Sequence, residues 1–504
     1  MNHFFSRAPG FSPVFLFILC SSFLTQGQDF NWTPQQQQAY TELQKLKVSS
    51  AQQLLASDQS RNGIRIFLDD YLDMLTLVTS DDDRAYASLS DREDERLDAL
   101  KDMDGNSPWQ RVMQAEIRLH WAFIKLKFGK EISASWDVIR AYKLLAANQK
   151  RFPTFLPTYK SLGTLHIMIG SVPENYSWVA SLLGLQGSIK QGQQELERAQ
   201  QDPAFRLEAQ LIDLMVRAYV LKFTSADEQT LKHLIESNPD NLLLHFFGAT
   251  IEQKNGHSAQ ALSYLTTRPT GPAYQPMPII ENILGDIYLQ KGQYTTAIRH
   301  FQQFLNTYRG QNFVKDSYYK LFLCHWLQPT DPSATKATSF LQKVLRVGRT
   351  AVESDKAAQK FAEAYLKRGV SPNQKVLMRS RLASDGGFTD SALAYLRPYN
   401  ETNLSLLAEK AEYNYRMGRI YQRRNEPDAA IPYLQRALAL SESKQGISEQ
   451  LSFGATAALQ LGYIYQQKND RTRAQSFFEK ALSVKHHEYK NSVDNKAKAA
   501  LSNL

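Results

Sequence analysis

The residues best placed to act together lie in the last third of the chain: Tyr415, Arg419, Gln422 and Arg423, followed by Tyr463, Gln466 and Gln467. Spacings of three and four put each set on one face of a helix. Guanidinium groups beside flat aromatic rings recognise carboxylates through paired hydrogen bonds, so the chemistry implied is the binding of an acidic peptide. A third row, Asn282, Asp286 and Gln290, repeats the spacing. Bond-breaking machinery is harder to find. No HExxH, CxxC, GxSxG or phosphate-loop pattern occurs, and the 10 histidines are scattered apart from His486-His487 in a polar tail. Asp102-Met103-Asp104-Gly105-Asn106 begins like a calcium loop, but Ser107 stands where the turn needs glycine and Met113 where a bidentate acid must close it. The expectation is a non-catalytic protein with no metal and no cofactor. A hydrolase assembled from distant residues is the weakest of the readings kept.

The elements that position these rows follow one pattern, written three times. Leu284-Gly285, Tyr288, Gly292, Tyr294, Ala297, Phe301 and Phe304-Leu305 are matched by Met417-Gly418, Tyr421, Asn425, Ala430, Leu434 and Ala437-Leu438. Leu461-Gly462, Tyr465, Asn469, Ala474, Phe478 and Ala481-Leu482 complete the set. Each stretch reads as two short amphipathic helices that cannot bury their apolar faces alone. Glycine inside a helix costs about 1 kcal/mol relative to alanine, so Gly285, Gly418 and Gly462 are expected where two helices approach closely. Ala297, Ala430 and Ala474 are the matching small residues of the partner helices.

In spacing and residue size this pattern resembles the tetratricopeptide repeat. The resemblance implies an all-α fold, an α-α superhelix or solenoid of antiparallel helix pairs. The first helix of each pair would line the concave side, which makes the three rows candidate contacts for a protein or peptide. The Lys/Asn clamp of chaperone-binding members is absent, because Tyr415 and Arg419 stand at those positions. A shorter stretch from Gly163 to Leu196, with Pro173, Gly184 and Gly192, is similar to the tetratricopeptide-39 and Iml2-type inclusion-body-clearance proteins.

Residues 1–27 resemble a secretory signal peptide, with Arg7 the sole charge before the apolar run Phe11 to Leu24 and cleavage expected after Gly27. Cys20 offers a lipoprotein signal as the rival, against which bulky Ile18-Leu19 stand. The expected location is periplasmic or secreted. Cys324, in an apolar run, is then the remaining cysteine and reads as a buried inert thiol. Residues 28–266 read as an N-terminal helical lobe, 267–278 as a Pro-rich linker, 279–484 as a C-terminal repeat lobe, and 485–504 as a polar tail or capping helix. Locally, Ala39 to Leu55 reads as one helix, Asp202-Pro203 opens another through Phe223, and Ser107 and Gln110 form a capping box, as do Ser188 and Gln191. The stretch up to Tyr399 looks loose, and Trp178, Val179, Leu182 and Leu183 form an apolar face.

The net charge is +9, with acids concentrated between Asp69 and Asp104 and arginines in the later repeats. That asymmetry suits an acidic partner or, alternatively, a structural envelope component that assembles through opposite charges. Nucleic acid is not expected, since no dense basic block is interleaved with exposed aromatics.

Overall fold

The computed structural model describes residues 29–172, 181–221, 223–328, 334–487, 489–502 and 504. Residues 1–27 with Cys20, and Pro173, Trp178 and Val179, lie outside the described residues. Among those described, the secondary structure is helical with no strand, as the repeat pattern requires. Among the described residues no helix is long and apolar enough to cross a membrane.

Neighbours in sequence pack as pairs. Pro108–Lys127 lies on Glu131–Arg151, Pro157–Gly170 on Ile189–Ala199, and Leu242–Asn255 on Ser258–Thr266. Further along, Ile279–Gln290 pairs with Tyr294–Thr307, Leu407–Arg423 with Pro427–Glu442, and Phe453–Gln467 with Arg471–Ser483. Lys490–Leu501 closes the stack on both helices of that last pair.

The glycines act as expected. A Cβ on Gly285 would lie 2.6 Å from the Phe301 ring, one on Gly418 2.6 Å from Leu434, and one on Gly462 2.5 Å from Phe478. Ala297, Ala430 and Ala474 are fully buried opposite them. Each pair also reverses through a left-handed residue, Gly292 at φ +72°, Asn425 at +58° and Asn469 at +58°. Glycine and asparagine are the residues that adopt this conformation at least strain.

Several local expectations give way to longer-range contacts. The helix expected over Ala39 to Leu55 breaks at Leu46 (φ +60°) into Pro34–Gln44 and Val48–Ser57. The break directs Lys45 and Lys47 to Asp240, at 2.9 and 2.7 Å. Gln110 does not close a box with Ser107. Its amide instead donates to the carbonyls of Leu100 and Met103, ending the preceding helix. Gln191 likewise turns to Glu195 at 3.3 Å. The helix expected after Pro203 is shorter, Arg206–Tyr219, and the stretch that looked loose contains Glu353–Arg368, Asn373–Asp385 and Thr389–Leu396.

The largest apolar cluster joins residues from Phe30 to Phe128 with residues from Phe205 to Ile287. The Pro-rich stretch is bound along it: the Gln275 amide donates to the Leu46 carbonyl at 2.8 Å and the Tyr274 hydroxyl to that of Asp240 at 2.9 Å. Segments 227 residues apart in sequence meet at Asp81. This buried carboxylate, at φ +54°, accepts from the Tyr308 hydroxyl at 2.6 Å and from the Asn312 amide at 3.2 Å.

Candidate functional site

Leu407–Arg423 carries the densest group of expected contact residues, and it brings Arg419, Gln422 and Arg423 together. Arg419 is half-buried and donates to the side-chain oxygens of Gln460, at 2.6 Å, and Gln422. Arg423 donates to the Ser384 carbonyl and rests on the turn at Gly256, where a Cβ would stand 2.6 Å from its Nη1. Gly256 has φ +81°, so only glycine leaves both the turn and the guanidinium in place.

Two further cations complete the site. Lys496 projects from the terminal helix and Lys254 from Leu242–Asn255. Burial, then Lys254 and Arg419, push the Lys496 ammonium below its ordinary value. Burial, then Arg419, pushes the Arg423 guanidinium down to about 10, against only weak help from Asp385. Among the described residues none of these four cations forms an ion pair. Burial first, and neighbouring cations second, disfavour the charged forms of Arg423 and Lys496, which is why both shifts run in the same direction.

The other expected residues divide. Asp286 and Gln290 line an open cavity of about 480 Å³ with Tyr319, Lys360, Arg381 and Tyr489. Asp286 faces Lys320 at 2.6 Å, and burial drives its carboxyl up to about 6. Gln290 accepts the Ser258 hydroxyl at 2.6 Å. Asn282 is not available to a partner. It is buried, and its amide donates to Ser317 at 2.8 Å in the next pair. Tyr415 packs on Phe453, with ring centroids 5.6 Å apart, and Tyr463 meets Phe478 edge-on at 5.3 Å. Gln466 is half-buried, while Gln467 is exposed and 3.4 Å from Asn425.

Sequence reasoning missed Lys254, Lys496 and Tyr489. A signal for the terminal helix did exist. Val493, Ala497 and Ala500 are spaced by four and three, and all three are buried.

Elsewhere, several charged groups in the interior pair with one another. Lys160 joins Glu116 at 2.9 Å and Glu208 at 2.8 Å, and the Tyr71 hydroxyl donates to Glu208 at 2.6 Å. Burial lowers the Lys160 ammonium, but the two carboxylates outweigh it and hold the group above its ordinary value. Asp70 accepts from Trp121 and Arg96, both at 2.9 Å, with His120 at 2.7 Å. Burial raises the Cys324 thiol, which therefore stays protonated.

Residues 282–315 and 415–448 match one family model for the tetratricopeptide repeat, and residues 455–485 match a second. The chain carries tetratricopeptide repeats. The matched segments contain the three stretches whose Gly, Tyr and Ala spacing is described above. No curated protein matches the chain. Similar solved structures include the human IFIT1 dimer with PPP-AAAA, 13% identical, with 90% of this chain and 95% of that one covered at a TM-score of 0.29. An IFIT1 monomeric mutant with Gppp-AAAA is 12% identical, with 87% and 94% covered at 0.27. Likeness at these scores transfers no ligand to this chain.

Proposed function

We propose that this tetratricopeptide-repeat protein is a non-catalytic scaffold, exported from the cytoplasm, that binds an acidic segment of a partner protein against Arg419, Arg423, Lys254 and Lys496. The observation that carries the reading is the gathering of these cations from three helices with no ion pair among the described residues; burial first, and the neighbouring cations second, lower both Arg423 and Lys496. A carboxylate-rich peptide laid over them relieves that repulsion, and the arginines add directional donors. Assembly through opposite charges has less to work with. The acidic stretch is largely used within the chain, Asp69 by Arg65 at 2.9 Å, Asp73 by Arg92 at 3.0 Å and Asp83 by Arg349 at 2.7 Å.

The test is fluorescence anisotropy with a labelled Glu/Asp-rich peptide against a neutral peptide of equal length. The acidic peptide is expected to bind more tightly, to weaken as salt is raised, and to lose at least tenfold in affinity to the Arg419→Gln/Lys496→Gln variant. Equal binding of both peptides, or an unaffected variant, defeats the assignment. So does an oligonucleotide that displaces the peptide at lower concentration.

A further inference from the structure

We infer that Glu228, Glu252 and His257 form a binding site for a divalent cation of the zinc class, tying together three successive helices. The three residues come from Ser225–Glu236, from Leu242–Asn255 and from the turn before Ser258–Thr266. One ligand atom from each lies within 4.8 Å of the others. His257 Nδ1 is 2.8 Å from Glu252 Oε2 and 3.6 Å from Glu228 Oε1. Zinc bonds of about 2.0–2.1 Å at tetrahedral angles set neighbouring ligand atoms about 3.3 Å apart, so small side-chain movements bring this set to a metal.

A second observation points to a ligand independently of that spacing. Glu252 is fully buried, and its Oε1 has no hydrogen-bond partner although its other oxygen faces His257. A buried carboxylate oxygen left unpaired is costly, and groups of this kind are normally satisfied by protein, water or an ion. The cluster also sets two carboxylates against one imidazole. The charged neighbour packed on the adjoining Gly256 is Arg423, whose Nη1 is committed to the Ser384 carbonyl. Tyr264 stands on the next helix and contributes no charge near neutral pH. Approach is open, because the Glu228 and His257 side chains are 40% and 44% exposed. Water completes the coordination, as in three-ligand zinc sites.

The cation site uses different residues from the peptide-binding reading, although Arg423 borders both, and its test does not depend on peptide binding.

The experiment uses the full chain, stripped with EDTA, without an affinity tag, and titrated with zinc chloride in a calorimeter. One equivalent is expected to bind and to raise the thermal midpoint. Glu252→Gln, which keeps the shape of the buried side chain, is expected to weaken binding at least tenfold. His257→Ala, at an exposed position, gives the same answer if the buried variant does not fold. His486→Ala/His487→Ala is expected to leave binding unchanged. Zinc binding that survives both site variants, or that disappears with the tail histidines, overturns the inference. So does a chain that takes up no zinc.

Discussion

Gly192→Ala tests whether the seam between Pro157–Gly170 and Ile189–Ala199 is a contact of backbone on backbone. A Cβ on Gly192 would lie 2.3 Å from the Gly163 carbonyl oxygen and 2.6 Å from Ile167 Cγ1. Non-bonded carbon is comfortable at about 3.5–4.0 Å, so the helices must part by about 1 Å. The separation strips contacts from Leu196 and Ile167, which are 0% and 1% exposed, and stretches the 2.5 Å contact between His166 and Glu195 across the same seam. Overpacking costs about 1–3 kcal/mol, and the upper end applies because backbone cannot rotate away. Alanine's better helix propensity returns about 1 kcal/mol, leaving a net loss of about 2 kcal/mol. Gly105→Ala is the control, with its nearest neighbour 3.8 Å away, and is expected within about 0.5 kcal/mol of the parent. Urea unfolding followed by circular dichroism reads the global change. Hydrogen exchange over residues 157–199 then localises it, since a stacked repeat array loses stability near the lesion. A Gly192→Ala variant as stable as the parent refutes the seam and, with it, the rule that small residues mark the hairpin contacts.

Stability is expected to fall as pH rises from about 5 to about 8. Burial raises the Glu93 carboxyl to about 7 and those of Asp286 and Asp355 to about 6, so the stability tied to their protons is full below the ordinary carboxylate range and lost as pH climbs through the raised values. His257, raised by its bond to Glu252, acts in the same sense, while His487, lowered by burial, opposes. Glu93 accounts for at most about 3 kcal/mol, so Glu93→Gln should flatten the melting-temperature profile, and a midpoint that rises with pH contradicts the reasoning. Asp81→Ala removes the acceptor of the Tyr308 hydroxyl and the Asn312 amide and leaves alanine at a positive φ. A loss of about 3 kcal/mol is expected in urea unfolding, with Asp81→Asn losing less because asparagine keeps an acceptor and tolerates that φ; equal midpoints for all three proteins argue against the contact.

What could be read from the sequence was whatever neighbouring segments decide between themselves. Gly418 and Leu434, or Gly462 and Phe478, belong to one hairpin, so their contact leaves a trace at fixed spacing. Asn282 shows where that reading stops. Its register marks the concave row, yet its amide is taken by Ser317 of the following pair, and periodicity within one repeat carries no information about the next layer. The same limit hid Glu353–Arg368, which packs on the two preceding helices Val314–Leu327 and Ala334–Arg346, and the choice Gln110 makes between two helix ends. It applies most strongly to the candidate site. Arg419 and Arg423 stood out because they share a helix face, but the charge density depends on Lys254 and Lys496, which are remote in sequence and meet when the terminal helix folds back against the repeats. Asn495 of that helix reaches the Ser171 carbonyl at 3.5 Å, so the last helix also touches the first half of the chain. The concentration of positive charge is therefore a product of how the helices stack. No single repeat contains it, so the proposed peptide-binding surface depends on stacked hairpins none of which carries it alone.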